Sequence, residues 1–170
     1  MGLHEIIQNY ITPEDIVLDI GCGIGIPTRG VKAKFIIGVD AYQPYCEKCR
    51  DFCLPLHIDA SESTFQTMFL DKSIDIVLLL DVLEHFEKPD AERLIDLAER
   101  VARKFIIVYT PEDFLTQEQD NWGLGGDKWQ KHRCGFKRED FIERGYAFTI
   151  YPGDQVHDRE YVAILAVKKM

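Results

Sequence analysis

Basic residues are in short supply. Twenty lysines and arginines face 29 acids, for a formal net charge of −9. That balance argues against broad nucleic-acid or anionic-membrane binding, both of which select an excess of cations. Long apolar runs are missing too: IDIVLLL at 74–80 is far too short to span a bilayer. The opening residues MGLHEIIQNY lack the basic-then-apolar order of an export signal, and Ile6 stands where a myristoylation signal needs Ser or Thr. Five cysteines, an odd number beside no export signal, do not read as a disulfide framework. The expectation is a cytoplasmic protein with reduced thiols and no nucleic-acid or membrane partner. Repeats, low-complexity stretches and linkers are also absent. A chain of 170 residues with 46% hydrophobic content therefore reads as one domain over 1–170 with one sizeable core.

What is present is an alternation of strands and helices. Leu3, Ile6, Ile7 and Tyr10 have helical spacing, and Pro13 ends that helix. Strands are expected at 15–20, in FIIGVD, in LPLHID, in SIDIVLLLD and in FIIVYTP. Between them the pattern predicts a short helix after the first strand, one at 43–52, one at 61–70 capped by Ser61, and a clear one in KPDAERLIDLAERVARK. In that last helix Pro89 sits near the first turn, and Leu94, Ile95, Ala98 and Val101 form the apolar stripe. Residues 111–137 have no clean period, which is long for a structureless loop and marks a functional segment or a missed element. KREDFIERG predicts a short helix ended by Gly145, and YAFTIYPGD with REYVAILAVKK predicts a closing hairpin around a Pro-Gly-Asp turn. Five strand–helix alternations and a terminal hairpin imply an α/β fold. Its sheet is doubly wound, mostly parallel and seven-stranded, with helices on both faces.

The first strand runs into DIGCGIG, with Asp19 followed by Gly21, Gly23 and Gly25. Ligands of open α/β sheets bind at the carboxyl ends of the strands beside such a switch point, and glycine lets backbone approach them closely. Dinucleotides and S-adenosylmethionine both fit in outline. The dinucleotide fingerprint needs a further glycine where Ile26 stands, and the Gly-Lys-Ser/Thr of a triphosphate loop is absent. The order D-x-G-x-G-x-G resembles the nucleotide-binding motif of the class I S-adenosylmethionine-dependent methyltransferases. The second strand ends in Asp40, the third in Asp59-Ala60 and the fourth in Asp81, within LLLDVLEHFEKP. That segment is similar to the branch containing the ubiquinone-biosynthesis methyltransferases. TPED, HRCGF, REDF and RGYAF follow in the order seen there, so the resemblance runs nearly the whole chain.

The resemblance implies a Rossmann-like fold, S-adenosylmethionine as cofactor and S-adenosylhomocysteine as product. It implies cofactor contacts from Asp19, Gly21, Cys22, Gly23 and Gly25, then from Asp40 and Ala41, Asp59 and Ala60, and Asp81. Asp40 would hold the ribose hydroxyls, and Asp59 would lie beside the adenine. Each acid also has a plainer reading as a helix cap or a solvated strand end. The expected activity is methyl transfer to an oxygen, nitrogen or carbon nucleophile of a small molecule. The alternative is a non-catalytic cofactor-binding or assembly module of the same fold.

Catalytic candidates sit on the same rim. His85, beside Glu84, is expected to act as a base or to line the methyl-transfer pocket, unless it is a helix-start residue satisfied by backbone. His132 lies near Trp122, Trp129 and Arg133 in a segment readable as a substrate lid or as packing over the sheet edge. His157 should return to the rim or sit in an exposed turn. Lys128, Lys131, Arg133, Lys137 and Arg138 could attract an anionic substrate or form a solvated face, and a homodimer is left open. Cys46, Cys49 and Cys53 share one face of a predicted helix, which favours core packing over a zinc site completed by His132 and Cys134, so no metal is expected.

Overall fold

A computed structural model describes residues 2–152 and 161–170. His157 and the Gly153-Asp154 part of the expected turn lie outside the described residues. Seven strands form one sheet in the order β3-β2-β1-β4-β5-β7-β6: β1 (Ile16–Ile20), β2 (Phe35–Asp40), β3 (Leu54–His57), β4 (Ile74–Leu80), β5 (Ala102–Pro111), β6 (Ala147–Pro152) and β7 (Val162–Lys169). The first five pair in parallel, and β7 lies antiparallel between β5 and β6. The chain winds outward from β1 through β2 to β3, then returns to place β4 on the other side of β1. The carboxyl ends of β1 and β4 therefore flank the crevice where the winding reverses.

Alternation along the strands builds two cores. Leu18, Ile20, Val77, Leu79, Ile106 and Val108 face α3 (Lys88–Val101), with Phe65, Phe136 and Phe141 beside it. Val17, Ile76, Leu78, Leu80 and Ile107 face α1 (Leu3–Gln8) through Ile6 and Ile7. All seven β4 residues are buried, as a central strand covered on both faces requires. The expected stripe of α3 is likewise buried, with Pro89 in its first turn and Arg100 in its last.

Two expected helices are absent. After β1 the chain makes only turns, with one helical bond from the Arg29 N–H to the Gly25 carbonyl at 2.8 Å. Pro27 brings no N–H to a ladder, and the Thr28 hydroxyl is drawn instead to Asp19 at 2.9 Å. The short helix expected after the first strand is therefore not formed. Over 61–70 only a 3₁₀ turn at Phe65–Thr67 appears. Ser61 donates both its N–H and its hydroxyl to Asp59 (2.9 and 2.7 Å), fixing the end of β3 rather than capping a helix. The helix expected at 43–52 is shortened to α2 (Gln43–Lys48), and Cys49 and Cys53 lie in the turns that follow. Inside the aperiodic segment stands the missed α4 (Asp127–Gln130), and α5 (Arg138–Ile142) follows as expected.

Candidate active site

Two cavities open at the carboxyl ends of β1, β2 and β4. The smaller, about 230 Å³, is a crevice lined by Gly21, Gly23, Asp40, Ala41, Asp59 and Asp81, with Glu87, Asp90, Trp122, Lys128, Trp129 and Arg133 closing it. The larger, about 580 Å³, lies between Cys22, Ile26 and Pro27 on one side and Leu115, Gln117 and His132 on the other. They share Gly21, Asp81, His85, Trp122 and Gln130 as a common wall. The structure thus brings together Gly21, Cys22, Gly23, Asp40, Ala41, Asp59, Asp81, His85 and His132. It does not bring Asp19, Gly25 or Ala60 to either cavity. Asp19 is buried beneath the loop, Gly25 is packed under Phe52 and Cys49, and Ala60 belongs to the core on the α3 face.

The glycine loop is held from below. Asp40 accepts the N–H of Gly23 through one carboxylate oxygen and that of Tyr42 through the other, each at 2.9 Å. Gly21 and Gly23 have φ of 73° and 54°, a region that side chains disfavour. A Cβ on Gly21 would lie 2.0 Å from Val82 Cγ2, and one on Gly23 2.3 Å from the Trp122 ring. What the glycines make room for is therefore partly protein: Val82 from the end of β4, and an indole from the 111–137 segment. Burial pushes the Asp40 carboxyl upward against the pull of those two N–H groups. Burial, offset by Thr28 and reinforced by Asp40, raises Asp19 to about 7.

At the common wall, Asp81 takes a left-handed backbone (φ 47°) while its N–H donates to the Tyr109 carbonyl at 2.7 Å. Strain of this kind, on the order of 1–3 kcal/mol, persists where the surroundings fix it and gathers at functional sites. Glu84 is buried and accepts the Thr110 hydroxyl at 3.0 Å. Its carboxyl is pushed up to about 8 by burial and by nearby Asp81. The His85 ring packs edge-on against His132 with centroids 4.9 Å apart, and its Nδ1 is buried without a hydrogen-bond partner. Burial, with His132 beside it, lowers His85 to about 3. His132 donates Nδ1–H to the Leu115 carbonyl at 2.6 Å, which leaves Nε2 as its lone-pair nitrogen. Burial lowers its pKa as well, and that hydrogen bond partly offsets the fall. Glu84, His85 and His132 offer three ligand atoms within 4.8 Å of one another. Two imidazoles and a carboxylate are a donor set able to hold a borderline divalent ion. The cysteines join no such group among the described residues. Cys46 donates toward the Asp40 and Leu56 carbonyls, and Cys134 toward that of Leu83.

The basic cluster is largely occupied. Lys131 pairs with Glu118, Lys137 with Asp113 and Arg138 with Glu112, while Arg133 spends its guanidinium on the carbonyls of His85, Lys131 and Lys128. Lys128 remains at the crevice, over the Trp129 ring. Sequence reasoning missed Asp120, which accepts the N–H groups of Trp122, Leu124 and Gly126 at 2.7–3.0 Å and so folds the glycine-rich turn. An Asp ahead of N-W-G-L-G-G was a legible sign of a turn of this kind.

The order of the sheet is that of the class I S-adenosylmethionine-dependent methyltransferases. The chain itself belongs to the family whose model is described as "Methyltransferase domain", which matches residues 17–104. The Ubiquinone biosynthesis O-methyltransferase of Rickettsia bellii is 29% identical over 111 residues, covering 62% of this chain and 46% of that protein. The chain thus spans about half the length of the curated relatives it matches. Solved structures share the fold. A SAM-dependent methyltransferase from Methanosarcina mazei superposes with a TM-score of 0.69 at 15% identity, covering 96% of both chains. The magnesium protoporphyrin IX methyltransferase of Synechocystis, with bound SAM, gives 0.62 at 17% identity, covering 98% of this chain and 76% of that one. No helix of the described residues is long and apolar enough to cross a membrane.

Proposed function

We propose that the protein transfers the methyl group of S-adenosylmethionine to a small molecule held in the larger cavity. The observation that carries this reading is the pair of cavities meeting at one wall, as transfer between two bound partners requires. The crevice suits the cofactor in charge. Asp40, Asp59, Asp81, Glu87 and Asp90 outnumber Lys128 and Arg133 along its lining, which favours a sulfonium and an ammonium and disfavours the pyrophosphate of a dinucleotide. When bound, the cofactor supplies an electrophilic methyl, so the chain's task is placement, worth on the order of 7–11 kcal/mol. Asp40, fixed by two backbone N–H groups, keeps lone pairs for the ribose hydroxyls. Gly21 and Gly23 let backbone approach the cofactor, and Asp59, steadied by Ser61, faces its adenine.

His85 and His132 act as acceptor-positioning groups. Burial keeps both imidazoles neutral, so they accept hydrogen bonds from the nucleophile and are weak bases toward it. No lysine or arginine lines the larger cavity among the described residues, which favours an uncharged acceptor over an anionic one. The accepting atom is oxygen, nitrogen or carbon, oxygen being the one named for the Rickettsia relative.

Calorimetric titration with S-adenosylmethionine, S-adenosylhomocysteine and NAD tests the reading. Saturable binding of the two adenosyl ligands and none of NAD is expected. No adenosyl binding would overturn it, and tight binding without turnover of any hydroxyl or amine acceptor would favour the non-catalytic module.

A further inference from the structure

Trp122 stands where the two cavities meet and lines both. Its benzo edge rests on Gly23, at a spot where any Cβ would collide with it. Its ring meets Tyr45 edge-on, with centroids 4.7 Å apart at 79°. The turn that carries it is fixed on both sides. Asp120 gathers its N–H groups, and the Tyr42 hydroxyl donates to the Leu124 carbonyl at 2.8 Å. Gly126 lies so close to Tyr45 that a Cβ there would come within 2.0 Å of the hydroxyl. A half-buried indole is thus held rigidly over the glycine loop, at the one place both partners of a transfer must reach.

We propose that the Trp122 indole recognises the sulfonium cation of the methyl donor, holding it at the junction by cation–π attraction and distinguishing it from the uncharged thioether product. The inference rests on the methyl-transfer reading. The donor's methyl has to face the larger cavity, so the sulfur that bears it lies at the shared wall. At that wall the Trp122 indole stands beside Asp81 and the His85 imidazole, and indole is the strongest of the aromatic rings for a cation. Transfer moves the methyl with its bonding vacancy to the acceptor's electron pair and leaves the C–S bonding pair on sulfur. The positive charge that attracts the indole is then gone. Trp122 is a positioning residue that favours the donor before the reaction and releases the product after it.

The test is the ratio of affinities for S-adenosylmethionine and S-adenosylhomocysteine. In Trp122→Leu the donor is expected to weaken by about 3- to 30-fold while the product changes little. Equal weakening of both ligands would show a packing role and overturn the proposal. The chain has two tryptophans, so fluorinated tryptophans incorporated in a Trp129→Phe background vary the electron density of Trp122 alone without truncating it. Donor affinity should fall stepwise with each fluorine while product affinity stays level, and a flat donor series would also overturn the proposal. If the unaltered protein binds neither ligand, the methyl-transfer reading falls first and this inference with it. If it binds both and the ratio never moves, only the inference falls.

Discussion

At the scale of single residues, Glu84 links the site to stability. Its carboxyl is raised from 4.5 to about 8, first by burial and then by Asp81. Between those values the unfolded chain has released the proton and the folded chain retains it, so the folded state binds more protons and stability falls as pH rises. The contribution is complete below about 4.5 and lost by about 8. A glutamine side chain in its place would keep an acceptor for Thr110 and carry no charge at any pH. Glu84→Gln should therefore gain on the unaltered protein as pH rises through that window, by on the order of 1 kcal/mol per pH unit at most, and level off above it. Parallel denaturant midpoints for the two proteins from pH 5 to 8 would contradict this account. Taking the difference between the two proteins matters because His85, lowered to about 3, contributes the opposite slope below its usual range.

At the scale of elements, the segment between β5 and α5 depends on Asp120. Burial would raise this carboxyl, yet the N–H groups of Gly126, Trp122 and Leu124 and the nearby Tyr45 hydroxyl hold it below the ordinary value. Asp120→Ala should leave the sheet intact and free those three amides. Hydrogen exchange should then quicken at Trp122, Leu124 and Gly126 by tenfold or more, with β4 and β5 unchanged. Equal protection in the variant would mean that aromatic packing alone fixes the turn. This segment also marks the limit of what the sequence discloses. Strands such as IDIVLLL were legible because a strand buried on both faces writes its environment into every residue. The acids at the ends of β2, β3 and β4 were legible because the strands place them. Residues 111–137 write no period, since Trp122 and His132 are held by Tyr45, Gly23 and the Leu115 carbonyl, partners distant in sequence or in backbone. The helix expected after β1 failed for a local reason, Pro27 and the capture of Thr28 by Asp19, which periodicity does not weigh. Asp19 and Gly25 matched the motif yet serve the loop from beneath.

At the scale of the whole molecule, a net charge of −9 and the acids of the crevice set a field that draws cations. Affinity for the cationic donor should fall about two- to fivefold between low and near-molar salt, and affinity for the product, which has lost the sulfonium charge and is net neutral, should fall less. Identical salt slopes would remove electrostatics from the account of the crevice. The order of the sheet has a different consequence. Much of the larger cavity's wall, from Pro111 through Leu115, Gln117 and Trp122 to Gln130 and His132, comes from one stretch of chain. That stretch is pinned near its ends, where Glu112 pairs with Arg138 and Arg133 grips the His85 carbonyl. Mutation can rewrite its interior without touching a strand, a glycine of the loop or the acids that follow β2 and β3. On the proposed reading of that cavity, acceptor choice can drift within a single cassette so long as Trp122 and the Asp120 turn that carries it are kept, and a laboratory exchange of residues 113–119 would retrace that route in one step.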